Sequence, residues 1–171
     1  AKVETENTAY VLMGGSQKYR GQAKELGLKN FHALDASGDY DKIGKFLATL
    51  DVFAHGRSDG ETYSLAIAEA MSYGLPVVSH VAPAMGHVET IGDGGLVAHT
   101  DEEYYNEMMK LMTDSEYHLM RASKACVRFD TMLSLESNID KLVKIFKDIV
   151  DVKETTGKLD SLSAEDFFDS M

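Results

Sequence analysis

The chain has 171 residues, 44% of them hydrophobic and 26% charged, with a formal net charge of -11. That is enough for one domain with a real core and too little for two substantial ones. The acidic balance repels phosphates, which excludes general binding to nucleic acid or to an anionic membrane surface.

In chain order, residues 9–13 form a short apolar run that stops at Gly14 and Gly15, as a buried strand ending in a glycine turn does. Residues 17–27 read as a helix closing at Leu26–Gly27, followed by a second strand at 30–34. Residues 39–50 are helical by the spacing of Ile43, Phe46, Leu47 and Leu50. A third strand falls at 51–55, a helix at 62–73 ending before Gly74, and a fourth strand at 75–80 with Pro76 at its start. The glycine-rich run from Ile91 to Val97 predicts a loop leading into a strand at 96–98, and helices follow at 101–113, 115–127 and roughly 135–150. Short strands alternating with helices predict an α/β fold, a doubly wound parallel sheet wrapped on both faces. No internal repeat or low-complexity segment interrupts it.

The tail, residues 151–171, is acidic and polar, with an apolar patch at Phe167–Phe168. Ser163 and Asp166 stand at capping-box spacing for one short helix, and the tail reads as a linker or docking strap, with disorder as the alternative. The single cysteine, Cys126, rules out an intrachain disulfide and favours a reducing compartment; on a helix, a small buried residue is its expected role. No run approaches the roughly 18 to 20 apolar residues of a membrane helix, and no signal peptide is visible. The expected location is therefore cytoplasmic. The chain starts at Ala1 in polar sequence just before a strand and reads as a fragment of a larger protein.

The chemistry concentrates in GETYSLAIAEAMSYGLPVVS, residues 60–79. Glu61 and Glu69 flank a predicted helix N-terminus that Thr62 or Ser64 caps. Free N–H groups of a first turn, with the helix dipole behind them, make a site for a phosphate or diphosphate even on an acidic protein. Were both glutamates helical, they would stand about 12 Å apart along the axis and about 80° apart in rotation. Carboxylates repel phosphate but accept well from vicinal hydroxyls. A ribose diol at one end and a sugar hydroxyl at the other is what a nucleotide-diphosphate-sugar offers. His55 and Arg57 before Glu61, and His87 and Glu89 after the fourth strand, lie at the same sheet edge and are further candidates. None of the six histidines falls in a recognised ligand spacing, so no metal is expected. The nine methionines read as core filler, and Tyr104–Tyr105 as partly buried helix surface.

The E-x7-E spacing of Glu61 and Glu69, followed by Ala70, Met71, Gly74, Pro76, Val77 and Val78, resembles the donor-binding motif of retaining glycosyltransferases of GT-B architecture, group 1 or family 4. Asp51-Val-Phe before it and Gly92-Asp-Gly-Gly-Leu-Val after it are similar to the family's neighbouring strand and glycine turn, and the resemblance runs from about residue 9 to 150. It implies a Rossmann-like second half of a GT-B fold that lacks its first strand, with residues 1–150 as a nucleotide-sugar-binding domain. Glu61 is then the catalytic residue at the donor sugar, holding a ring hydroxyl and stabilising positive charge at the anomeric carbon. Glu69 binds the ribose hydroxyls, and the amides of Tyr63, Ser64 and Leu65 face the diphosphate. Gly60, Thr62 and Arg57 belong to the same donor site, and Gly14 and Gly15 let the nucleotide approach a strand end closely. The family's retention is explained by attack on the face that the diphosphate leaves, with a donor phosphate oxygen helping to deprotonate the acceptor.

The implied activity is retaining hexosyl transfer with no metal or other cofactor, the nucleotide sugar being the donor substrate. The partner would be a glycan or other acceptor held by a missing N-terminal domain. The family's Glu-Gly-Phe-Gly reads Glu61-Thr62-Tyr63-Ser64 here, a mild change because Thr and Ser cap helices well. The resemblance places the family's first strand, its basic pair for the diphosphate and the acceptor domain before Ala1, so these 171 residues alone are expected to bind donor weakly and not to transfer sugar. The alternatives are a nucleotide-sugar epimerase half-domain, against which the E-x7-E pattern speaks, and a non-catalytic Rossmann-like interaction module. A receiver domain, one form of such a module, would show an acidic cluster where residues 13–15 read Met-Gly-Gly.

Overall fold

A computed structural model describes residues 7–15 and 17–156, with side chains through Asp151. The chain divides into two units, residues 1–129 and 130–171. The first carries strands β1 (Tyr10–Met13), β2 (Phe31–Leu34), β3 (Phe53–Ala54), β4 (Gly60–Glu61), β5 (Val77–His80), β6 (Ala84–Met85) and β7 (Leu96–Ala98). Its helices are α1 (Gln17–Glu25), α2 (Tyr40–Leu47), α3 (Leu65–Ser72), α4 (Gly86–Ile91), α5 (Asp101–Thr113) and α6 (Ser115–Arg128). A π-helical turn at Phe129–Leu133 follows, then α7 (Leu135–Thr156). The expected tail thus begins inside α7, and its Ser163–Asp166 helix and Phe167–Phe168 patch lie outside the described residues.

Every strand pairing is parallel, as alternating strands and helices dictate. Among the described residues the strands form three ladders, β1–β2, β3–β5–β7 and β4–β6, where the sequence predicts one sheet. The reason is a cleft of about 690 Å³ with Tyr10–Gly14 on one wall and Val52–Ala54 on another, so β1 and β3 do not meet.

Local chemistry sets the element ends. Asp39 accepts from the N–H groups of Asp41 (2.9 Å) and Lys42 (3.4 Å), which starts α2 one residue later than expected. α1 closes through the N–H of Leu28 returning to the carbonyl of Ala23 at 2.9 Å, with Gly27 between them. Thr100 and Asp114 cap α5 and α6 through the N–H groups of Glu103 and Tyr117. In the second unit, Ser134 opens α7 by accepting from the N–H of Ser137 at 3.1 Å.

The core gathers on α3 and β5: Ile67, Ala70, Met71 and Val78 are 0% exposed, as are Ile91 and Ala98. Val78 also packs with Met108 and Leu111 of α5, against which Tyr104 and Tyr105 lie half-buried. Met71 and Met108 fill core space as expected, whereas Met85, Met120 and Met132 are exposed. Cys126 is a correction: it was expected buried and is exposed, because α6 turns Ala125 fully inward and the next residue points away. Glu107 of α5 and Arg121 of α6 form a buried ion pair at 3.1 Å, to which the Tyr117 hydroxyl donates at 2.7 Å.

Candidate functional site

The site grows from the end of β3. His55 extends that ladder by donating its N–H to the carbonyl of Val78 at 2.8 Å, and its imidazole is buried with Nδ1 2.8 Å from Ser79 Oγ. The chain then loops outward and returns at Gly60, which pairs with Ala84 while Glu61 pairs with Met85. Gly60 has φ +73°, and a Cβ there would strike the carbonyl oxygen of Ala84. Gly86 faces the same constraint against Thr62 O. Only glycines let these two segments approach this closely.

Glu61, 17% exposed, carries Oε1 at 3.5 Å from His55 Nε2 and 3.4 Å from Arg57 Nη1. Partial burial pushes its carboxyl up, but the Ser64 hydroxyl, His55 and Arg57 outweigh this and hold it below its ordinary value. It is thus a carboxylate at neutral pH. Arg57 is gripped from the other side by Asp59, with Nε to Oδ1 at 3.1 Å and Nη2 to Oδ2 at 2.9 Å. That fork aims the remaining nitrogen, Nη1, at Glu61.

The helix expected from Thr62 begins at Leu65. Ser64, 0% exposed and in an extended conformation (φ −110°, ψ 96°), is the cap, and its Oγ accepts from the N–H of Ile67 at 3.4 Å. Thr62 and Tyr63 are exposed residues of the preceding turn. The first intrahelical bond runs from the N–H of Ala68 to the carbonyl of Ser64 at 3.2 Å; with Ile67 met by the cap hydroxyl, the open first-turn amides are those of Leu65 and Ala66, one residue beyond the expected set.

Two hollows flank this helix start. One, of about 520 Å³, is lined by Arg57, Gly60, Glu61, Thr62, Tyr63 and Leu65 among others. The other is the cleft between β1 and β3, lined in part by Gly14 and Glu69. Ala66 lines both. The structure thus brings together most of the residues read from the sequence, with the two glutamates in adjoining hollows. Ser64 sits beneath the surface as the cap, and Gly15 packs against Leu12 and Ala33; neither lines a hollow. His87 is fully buried, and Glu89 is exposed away from both hollows.

Sequence reasoning missed Ala66, Asp59 and Ala84. Choosing Ser64 over Thr62 as the cap would have found Ala66; the other two depend on β4–β6, whose strands are too short to show a period. A carboxylate, a cation and open helix N–H groups around one hollow suit a polyhydroxylated anion. Among the described residues no group of three or more His, Cys, Asp or Glu stands close enough to hold a metal, and no helix is long and apolar enough to cross a membrane.

With that geometry in place, comparison with known proteins becomes informative. The crystal structure of Anabaena HepE in complex with UDP superposes with a TM-score of 0.70 at 19% identity, covering 84% of this chain and 42% of that one. HepE in complex with UDP-glucose gives 0.68 at 22% identity and the same coverage. WaaG, a glycosyltransferase involved in lipopolysaccharide biosynthesis, gives 0.62 at 23% identity, covering 74% of this chain and 35% of WaaG. The chain spans less than half the length of these structures, and at such identities the likeness shows the α/β fold expected from the sequence. No curated protein sequence matches. The sequence profile of glycosyl transferases group 1 matches residues 1–127, and the chain belongs to that family.

Proposed function

We propose that this chain is the donor-binding part of a retaining glycosyltransferase that moves a hexose from a nucleotide diphosphate. The observation that carries the reading is the N-terminus of α3, capped by Ser64 and set between a hollow holding Glu61 and a cleft holding Glu69. A diphosphate at the Leu65 and Ala66 amides puts a sugar beside Glu61 on one side and a ribose beside Glu69 on the other. In this arrangement Glu61 accepts from a ring hydroxyl and stabilises positive charge at the anomeric carbon. Arg57 supplies a cation near the diphosphate, and the cleft beyond Gly14 receives the nucleoside.

No metal or further cofactor enters this reading, because helix amides and Arg57 meet the negative charge. Residues 1–150 form the nucleotide-sugar domain and residues 151–171 a tail or strap. The acceptor, a glycan or other hydroxyl compound, comes from a separate N-terminal domain, and the reaction is cytoplasmic. Neither the epimerase nor the scaffold alternative gains support from the family match.

The test is an NMR titration with UDP-, GDP- and ADP-sugars at millimolar concentration, repeated with Glu69→Ala. Expected are shifts at Gly14, Glu61 and the Tyr63–Ala66 amides with one nucleotide, weakened by the substitution. HepE was crystallised with UDP-glucose, so UDP sugars come first. Equal shifts with all three donors, unaffected by Glu69→Ala, would sink the assignment.

A further inference from the structure

His55 is buried, yet only one of its ring nitrogens has a partner. Nδ1 lies 2.8 Å from Ser79 Oγ, while Nε2 is shut away from solvent with no hydrogen bond. The acidic group nearest that bare nitrogen is Glu61, with Oε1 at 3.5 Å. Buried polar atoms left in this way cost free energy, and each calls for a physical account.

The surroundings decide which nitrogen carries the proton. On β5, Ser79 faces Nδ1, and the next residue, His80, has its own Nδ1 2.9 Å from the carbonyl of Val81. On α4, His87 stacks obliquely with ring centroids 5.2 Å apart, its Nε2 donating to the carbonyl of His80 at 2.9 Å. On α5, the Tyr104 hydroxyl reaches the His55 carbonyl at 3.5 Å. Glu61 on β4 is the one anion against the ring among these, and Arg57 Nη1 approaches the same oxygen, Oε1, at 3.4 Å. Burial keeps His55 less basic than an ordinary histidine, against the pull of Glu61. At neutral pH the ring is therefore neutral and holds one proton.

Placed on Nδ1, that proton would go to Ser79 Oγ and leave the Nε2 lone pair facing a carboxylate, which is repulsive. Placed on Nε2, it points at the carboxylate while the Ser79 hydroxyl donates to Nδ1. We infer that His55 is a positioning residue: Ser79 orients its ring, and its Nε2–H holds Oε1 of Glu61 so that Oε2 is left to accept from a sugar hydroxyl. Closing 3.5 Å to the roughly 2.7–2.9 Å of a charge-assisted bond takes only a small rotation of the Glu61 side chain. The carboxylate is then steered from the core strand β5 as well as from the exposed side of the hollow, where Arg57 lies. The sugar part of this inference rests on the proposed donor site; the His55–Glu61 bond does not.

The experiment uses the 171-residue chain labelled with 15N at histidine. Long-range proton–nitrogen spectra should show neutral His55 protonated on Nε2, and Glu61→Gln should lower its pKa further. A proton on Nδ1, or no response to Glu61→Gln, overturns the bond whether or not any donor binds. Binding of UDP-glucose and of UDP is then compared. His55→Phe should weaken UDP-glucose about tenfold, or about 1.4 kcal/mol, and leave UDP unchanged. His55→Gln, whose amide nitrogen reaches near the place of Nε2, should recover most of the loss. Equal weakening of both ligands, or no recovery with Gln, overturns the positioning role. Wild-type protein that binds neither ligand overturns the donor site and the sugar role together, while the tautomer still decides the bond.

Discussion

Ser64→Ala tests the helix start on which the whole site depends. The hydroxyl is 0% exposed and accepts from the N–H of Ile67 at 3.4 Å, with Ile67 itself 0% exposed. Losing an N-cap of this kind costs about 1 kcal/mol in general, with a range of about 0.5–2. The long bond argues for the lower half of that range. Burial argues the other way, because the orphaned N–H of Ile67 has no water to turn to, and an unsatisfied buried donor costs about 1–3 kcal/mol. We expect about 1.5–2 kcal/mol. At about 2–4 °C per kcal/mol for a chain of this size, Tm falls by about 3–8 °C. Thermal unfolding followed by far-ultraviolet circular dichroism reads this directly. A second signal is specific to the site: without the hydroxyl that helps hold Glu61 ionised, its carboxyl pKa should rise towards the ordinary value. A Tm within about 1 °C of wild type, together with an unmoved Glu61, would refute the account of how α3 begins.

Arg121→Ala leaves Glu107 buried and unpaired, and should cost about 3–5 kcal/mol in urea unfolding; a loss no larger than that of a surface charge would mean the pair is solvated. Gly60→Ala forces a Cβ against the carbonyl of Ala84 at a positive φ, so we expect about 2–4 kcal/mol of destabilisation or loss of soluble protein, and wild-type stability would show that β4 and β6 are not closed together. Met71→Ala empties a site that is 0% exposed and should cost about 2–5 kcal/mol by chemical denaturation. Acid should also destabilise the protein. His55 and Glu61 both titrate below their ordinary values of 6.5 and 4.5, so the unfolded chain binds more protons and stability falls as pH drops through 6.5 and again below 4.5. His55→Gln should flatten the upper part of that fall, and an unchanged slope between about pH 5 and 7 would remove His55 as its source.

Elements announced by capping and periodicity were legible, and those made by contact between distant segments were not. α5 opens on Thr100 and three acidic residues and matches its expected span; α6 opens on Asp114 and ends one residue beyond it. By contrast, α4 begins with Gly86 after Met85, which offers no side-chain cap, so nothing in the sequence there announced a helix. β4 and β6 are two residues each, too short for alternation to register, and exist because Gly60 and Gly86 let two loops touch. α2 ends at Leu47, with the expected last turn replaced by single turns from Thr49 to Phe46 and Leu50 to Leu47. Apolar spacing continued there, but it reflects burial rather than helix.

The carboxylate spacing takes its meaning from the path of the chain rather than from rotation about a single helix axis. Were both glutamates helical, rotation about one axis would set their separation, whereas a helix from Thr62 leaves Glu61 outside it. In the structure Glu61 belongs to β4, and only Glu69 belongs to α3. The separation survives for a different reason. The chain must leave a strand, make a turn at Thr62–Tyr63 and cap a helix at Ser64 before Glu69 is reached, so the helix N-terminus necessarily lies between the two side chains. An eight-residue interval is long enough to contain that turn and one full helical turn, and short enough that both carboxylates stay beside the open amides of Leu65 and Ala66. What spacing alone did not reveal is what holds Glu61 still. That depends on His55 and Ser79, which lie on β3's end and on β5 and meet only because those strands are neighbours.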